Sequence, residues 1–510
     1  MTRAMVGQAM AMGRAMAMFR GLAALAAALL LAGCAGYTVN PKLTTEKYGV
    51  GKGGYRYENL SKVENTDALF VVLAFSGGGT RAAAFSYGLM EGLRDATYKK
   101  DPAADPRSLL ADVDVISSVS GGSFTAAYYG LFPDRFFEDF EPRVLDRDIQ
   151  GDLIGLALSP PNWFRLASPA FDRIDLAAEY YDREIFDQKT FQALVDGKRK
   201  PYIVLNATDM TLGRRFEFTQ EQFDFLCSDL SPVTIARAVA ASSAFPGLLS
   251  PLTLKNYVDV KCGFKMPTWI EGALKSKALA ARRYVRARDL WTYRSDEKRQ
   301  WIHLLDGGLS DNIGLRGPFV ALTSDTGSSW SVKQRINQGN VERVMVITAN
   351  AKTKSRPKWD QEQAAPGLFD VLGFVSTGPM DNFSFDTVQL ITNAFEQRQQ
   401  AWKARQSCRR MLKKQCGGDL PGKLAPVALR AVEISFDGIA DHRLRLRLCM
   451  EALPTNFSLL AQTVDLLRQV ARHLLLTSPK FHDAMNDLEA GWEPPESAID
   501  PDLIAAVCPR

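Results

Sequence analysis

The sequence predicts an α/β fold: a mostly parallel sheet flanked by helices, with a helical insertion and a mainly helical C-terminal extension. Three observations carry that expectation. Short apolar runs recur at Leu69 to Phe75, Val113 to Ile116, Tyr202 to Asn206, Trp301 to Leu305 and Val344 to Thr348. Runs of that length are the pattern of strands buried on both faces. Segments of helical period, such as Thr80 to Arg94 and Ser123 to Tyr129, lie between them, and strands that alternate with helices build parallel sheets. Glycine-rich turns follow three of the runs, at the strand ends where open α/β sheets place their ligand sites.

Taken in order, the chain begins with a leader. Arg3, Arg14 and Arg20 precede the apolar stretch Gly21 to Leu31, which leads into Leu31-Ala-Gly-Cys34. A charged start, a short apolar region and small residues before a cut describe a secretory signal. The stretch is shorter than the ~20 apolar residues that a membrane helix needs. A cysteine directly after Leu-Ala-Gly resembles a bacterial lipobox, which implies removal of residues 1–33 and lipidation of Cys34. The alternative is a plain cleaved signal with an unrelated cysteine. Ala35, rather than an aspartate, follows the cysteine; resemblance to sorted lipoproteins then implies the outer membrane of a bacterial envelope. Methionines recur up to Met18, so several start codons are open.

Loss of the leader removes three arginines and no acids, and the formal charge falls from +5 to +2. That balance argues against a polyanion-binding protein. Residues 34–66 are rich in Gly, Lys, Asn, Thr and Tyr without sustained periodicity, and read as a tether from the lipid to the body. The body proper is expected over 67–350, with an insertion near 132–200 longer than a crossover requires. Within it Phe171 to Leu194 reads as two helices; these are either plain packing or a cap that shapes an apolar groove. Residues 261–299 carry eleven basic residues against four acids. Such a run is a solvated helix face or, at a bilayer, a contact for anionic headgroups. From 351 to 510 the chain reads as a mainly helical extension. Val432 to Phe436 adds a possible strand, and Phe457 to Leu476 has apolar residues at helical spacing.

Beyond Cys34 the cysteines are Cys227, Cys262, Cys408, Cys416, Cys449 and Cys508. In an exported chain six cysteines are disulfide candidates, and the near neighbours Cys408 and Cys416 are the first pairing expected. No zinc spacing and no D-x-D-x-D-G calcium loop occurs, so no metal and no cofactor is expected.

The chemistry concentrates in three segments: Phe75-Ser-Gly-Gly-Gly-Thr-Arg81, Ser118-Val-Ser-Gly-Gly122 and Asp306-Gly-Gly308. The first opens a helix and leaves backbone N–H groups free at its start, where negative charge is favoured. It lacks the Gly-Lys-Ser/Thr ending of a Walker loop. The second sets a serine at a strand-to-helix turn, and the third offers a carboxylate beside two glycines. Singly, each is also a common turn; together they supply a nucleophile, oxyanion donors and a base.

These residues resemble the patatin-like phospholipases. That family pairs a glycine-rich loop ending in Arg or Lys with a G-x-S-x-G elbow and a later D-G-[GA]. Ala240-Ala-Ser-Ser-Ala-Phe-Pro-Gly247 and Asp311-Asn312 extend the likeness, which covers roughly residues 66 to 350. The departure is Ser118, where the elbow has its first glycine. The resemblance implies Ser120 as nucleophile, Asp306 as base, and the amides of Gly77, Gly78 and Gly79 as the oxyanion hole. Gly122, Gly307 and Gly308 would support the turns, and Arg81 would brace the loop or meet a phosphate. His303 sits an odd offset from Asp306, on the opposite strand face. His442, His473 and His482 lie in the C-terminal region, where one of them would complete a Ser, Asp, His order.

The expected function is a lipid acyl hydrolase acting on phospholipid or lysophospholipid esters, membrane-bound through Cys34 and without a nucleic-acid partner. Alternatives are a general carboxylesterase or transacylase, and a non-catalytic envelope lipoprotein serving as a binding or scaffold partner.

Overall fold

The computed structural model describes residues 38–509 apart from 48, 50–52, 61–67, 102, 277–280, 325–331, 339, 355–362, 364–366 and 417–426. The leader and Cys34 lie outside the described residues. Among the described residues eight strands form one sheet. They are β1 (Leu69–Phe75), β2 (Val113–Val119), β3 (Tyr202–Asp209), β4 (Arg214–Glu217), β5 (Leu252–Lys255), β6 (Trp301–Asp306), β7 (Arg343–Asn350) and β8 (Ala428–Ser435). Their order is β8-β7-β1-β2-β3-β6-β5, with β4 also on β3. The strands from β8 to β3 run parallel, whereas β4, β5 and β6 join antiparallel.

The parallel strands β1, β2 and β3 are buried along their whole length, which explains why they read as unbroken apolar runs. In β6, by contrast, Trp301 and His303 face out while Ile302 and Leu304 face in. Strands β4 and β5 have four residues each, too few for a recognisable period, and the sequence reading lacks them.

Helices cover the sheet. Those used below are α1 (Gly79–Asp95), α2 (Gly121–Leu131), α3 (Ile149–Leu158), α4 (Pro160–Leu166), α5 (Arg173–Glu184), α6 (Ile235–Ser242), α7 (Ala281–Ser295), α8 (Leu368–Cys416) and α9 (Ala461–Leu476). Helix α5 starts in a capping box of Asp172 and Asp175 and packs on α6. Helix α9 lies along α1, with Val464, Leu467, Val470 and Leu474 in the one large core; Leu460, expected on the same apolar face, is instead the exposed residue that precedes the helix. No described helix is long and apolar enough to cross a membrane.

Three expectations change. First, much of the segment read as a tether is built into the body. The Asn40 side chain donates to Lys255 O and accepts from Lys255 N–H at 2.9 and 2.7 Å, like one residue of an added strand. Leu43 and Tyr55 are core residues, and Arg56 is buried against Asp224 at 2.8 Å. A polar composition concealed these few anchors because each buries alone, without a period. Second, Cys408 is free and exposed, and the bridges are Cys227–Cys262 and Cys449–Cys508. Cys408 and Cys416 share α8; eight residues of helix separate Cα atoms by roughly 12 Å, too far for a disulfide. Third, the basic run is not simply a solvated face. Arg286 of α7 bonds Glu217 at 3.3 Å, Arg294 donates to Tyr257 O at 2.9 Å, and Arg299 bonds the buried Asp209.

Candidate active site

The strand register assembles the site. Asn206 of β3 pairs with Val119 of β2 and with Glu217 of β4, so these two strands occupy opposite edges of β3. The next residue, Ala207, pairs with Phe216 of β4 and with Asp306 of β6. Strand β4 keeps its edge, hence β2 and β6 share the other and point at each other end to end. Ser120, the first residue past β2, meets Asp306, the last residue of β6, at that junction.

Ser120 has φ 50° and ψ −121°, a conformation that costs a non-glycine residue about 1–3 kcal/mol and persists only where its surroundings enforce it. The enforcement is visible. Its N–H donates to Ser242 Oγ at 2.9 Å, and its carbonyl accepts from Ser123 N–H at 2.9 Å. Ser242 ends α6 and ties both halves of the site together. Its hydroxyl donates to Asn206 O at 2.6 Å and contacts Ser123 Oγ at 2.9 Å. Its carbonyl accepts Gly307 N–H at 3.1 Å, and Ala244 O accepts Asp306 N–H at 3.0 Å. Within Ala240 to Gly247 nothing in the sequence marks Ser242 for this role. Ser118 fits its unexpected position because its buried hydroxyl meets Ser123 Oγ at 3.1 Å.

Asp306 is buried. Desolvation pushes its carboxyl from 3.8 up to about 6, while the Gly308 N–H bond and the nearby Ser120 hydroxyl pull it back. The Gly308 bond is 2.7 Å, and Thr208 Oγ1 fixes the Asp306 carbonyl at 2.8 Å. A Cβ on Gly307 would lie 2.3 Å from Asn206 O, so only glycine lets β6 turn away against β3.

The glycine loop between β1 and α1 supplies donors unevenly. Gly77 N–H is already committed to Asn312 O at 2.9 Å, which removes it from the three amides expected to meet an oxyanion. Gly78 and Gly79, at φ 140° and 60°, donate to no acceptor among the described residues. The loop also lies hard against α2, where a Cβ on Gly121 would come within 2.0 Å of Gly79 O. Gly122 meets Ser76 O in the same way at 2.7 Å. Arg81 braces rather than awaits an anion. Its guanidinium donates to Ala351 O at 2.9 Å, Leu453 O at 2.7 Å, Pro454 O at 2.9 Å and Thr455 Oγ1 at 3.0 Å. The same loop then gives Asn456 O to Thr80 N–H at 2.9 Å. Asp311 holds the following turn by accepting Arg316 N–H at 2.8 Å.

The histidines stand apart. His303 is exposed and bonds Thr253 Oγ1 at 3.0 Å, His442 is exposed, His473 bonds Ser497 O, and His482 bonds Leu476 O at 2.7 Å. The register therefore brings Ser120 close to the desolvated Asp306 carboxylate, and the Gly78 and Gly79 amides at the start of α1 have no acceptor among the described residues.

No curated protein matches the chain. Human GIVD cytosolic phospholipase A2 is a similar solved structure, with a TM-score of 0.39 and 13% identity over 83% of this chain. The chain spans 60% of that enzyme's length. VipD from Legionella pneumophila is another, with a TM-score of 0.31, 11% identity, and coverage of 90% of this chain and 72% of VipD. The family model for patatin-like phospholipase matches residues 73–318, which contain Ser120, Asp306 and the glycine loop. Over those residues this chain is similar to the patatin-like phospholipases.

Proposed function

We propose that the protein is a serine lipid acyl hydrolase that cleaves ester bonds of phospholipids or lysophospholipids through a dyad of Ser120 and Asp306. One observation carries this reading: the strand register sets Ser120 against Asp306, a buried carboxylate whose proton affinity has risen toward neutral pH. Ser120 Oγ attacks the ester carbonyl carbon and gives its proton to Asp306. The carbonyl π electrons move onto oxygen, and the resulting oxyanion is received by the Gly78 and Gly79 amides. Collapse breaks the ester C–O bond, and the departing alkoxide takes the proton from Asp306, leaving an acyl-serine. Water then repeats the sequence: Asp306 accepts its proton, hydroxide adds, and the fatty acid leaves as Ser120 is reprotonated. The lipobox supports a mature protein lipid-anchored through Cys34 in the bacterial envelope, at the outer membrane.

A fluorophosphonate probe tests the dyad. The wild-type protein and a variant with all four histidines replaced are expected to label, whereas Ser120→Ala and Asp306→Asn are not. A folded wild type that stays unlabelled returns the chain to the non-catalytic reading. Loss of labelling in the histidine variant alone replaces the dyad with a triad.

A further inference from the structure

Helix α3 has the sequence Ile-Gln-Gly-Asp-Leu-Ile-Gly-Leu-Ala-Leu and is apolar around most of its circumference. Such a helix is normally buried on all sides. Here only one side is covered: Ile149 is core, Leu153 and Leu156 rest on the core, and Asp152 is held by the Tyr180 hydroxyl. The outer side leaves Ile154 and Leu158 at least half exposed, and α4 continues the surface with Trp163 and Phe164, also more than half exposed. Leu460 adds 78% exposure just before α9.

Two observations identify what covers this ridge. First, it is continuous with the site. Gln150 of α3 bonds the backbone of Phe457 at 3.3 Å, and the preceding Asn456 carbonyl holds Thr80 at the glycine loop. Second, the chain outside the described residues ends at the same end of the sheet. Asn40 is pinned to Lys255, which pairs with Trp301 at the start of β6. Because β6 runs from there down to Asp306, that point lies roughly 16 Å beyond Asp306, on the side toward which the parallel strands point. From Cys34 to Asn40 is six residues, a reach of about 20 Å. A lipid on Cys34 would thus hold the active-site end of the sheet, and no other, against the bilayer.

We propose that the α3–α4 ridge, with Leu460, is a bilayer-docking surface that seats the active-site end on the membrane to which the chain is anchored. Trp163 and Phe164 enter the headgroup boundary, where aromatic residues are favoured. This proposal rests on the lipid acyl hydrolase reading for its purpose, though not for its test. The full chain with Cys34→Ala, which lacks the lipid, is compared with the same chain carrying Leu158→Asp, Trp163→Asp and Phe164→Asp. Flotation is measured with vesicles of phosphatidylethanolamine and phosphatidylglycerol, and turnover with a short soluble ester. The ridge variant is expected to partition at least roughly tenfold more weakly, with soluble-ester turnover unchanged. If the parent chain does not float, or both chains float equally, the docking surface is overturned. If soluble turnover falls along with flotation, the ridge shapes the site instead and the proposal also fails. Flotation of the parent without turnover of any ester leaves docking standing and removes the hydrolase reading.

Discussion

Replacing Asp306 with asparagine should stabilise the fold at neutral pH while abolishing its chemistry. Burial raises the carboxyl from 3.8 to about 6, so the folded protein binds this proton more tightly than the unfolded chain does. The linkage sign follows: between about pH 4 and pH 6 the native state holds more protons, and stability falls as pH rises through that window. A shift of about two units corresponds to about 3 kcal/mol, lost in full above the folded value. Asparagine does not ionise, and its carbonyl still accepts Gly308 N–H. The stability difference between Asp306→Asn and wild type should therefore grow by about 3 kcal/mol from about pH 4 to about pH 8. Urea unfolding at a series of pH values reads this directly. A difference independent of pH would refute the claim that desolvation dominates this carboxylate. In the wild type the same titration should appear in kcat/KM for an ester, which should rise with pH up to about 6 and then level, because the base acts only when ionised.

Ser242→Ala leaves the Ser120 N–H and the Asn206 carbonyl without their shared partner, at about 1–3 kcal/mol for each buried orphan. Loss of stability with at least a tenfold fall in kcat and little change in KM is expected. A stability loss with unchanged kcat would give Ser242 a folding role only. The two disulfides close spans of 35 and 59 residues, so reduction should lower stability by about 3–4 kcal/mol for each. In the oxidised protein a maleimide should modify Cys408 but not Cys227, Cys262, Cys449 or Cys508. Modification of any of those four before reduction would contradict the pairing.

Much of this architecture was readable because burial on both faces writes itself into sequence as apolar runs. That holds for β1, β2, β3 and β7, and the helical stripe of α9 was equally plain. The turns were readable for a related reason: Gly78, Gly79, Gly121 and Gly307 stand where another backbone approaches or φ is positive, and no other residue substitutes there. What brings Ser120 to Asp306 was not readable. It depends on β2 and β6 sharing one edge of β3 while β4 takes the other, and β4 and β5 are too short to carry a period. Arg56, Tyr55 and Asn40 escaped for the same reason, being single anchors in polar surroundings.

The C-terminal part of the chain shows why a motif-bearing segment is not the whole site. The matched domain ends at residue 318, and the sequence reading drew its boundary at 350. The glycine loop, however, is held from Ala349 onward, beyond the first boundary and mostly beyond the second. Ser76 N–H donates to Ala349 O at 3.0 Å, and Ala351 N–H donates to Ser76 Oγ at 2.9 Å. The four acceptors of the Arg81 guanidinium all come from Ala351 and Leu453 to Thr455, and Asn456 O reaches Thr80 N–H beside Gly79. Strand β8 adds to the same sheet beside β7, and α9 closes over α1. The amides of Gly78 and Gly79 owe their direction to this distant loop as much as to their own glycines. Strained positive-φ backbone keeps one geometry only when its neighbours over-determine it, and here those neighbours lie some 370 residues along the chain. Ser120 and Asp306 thus belong to the matched residues, whereas the Gly78 and Gly79 amides are held by both halves of the molecule.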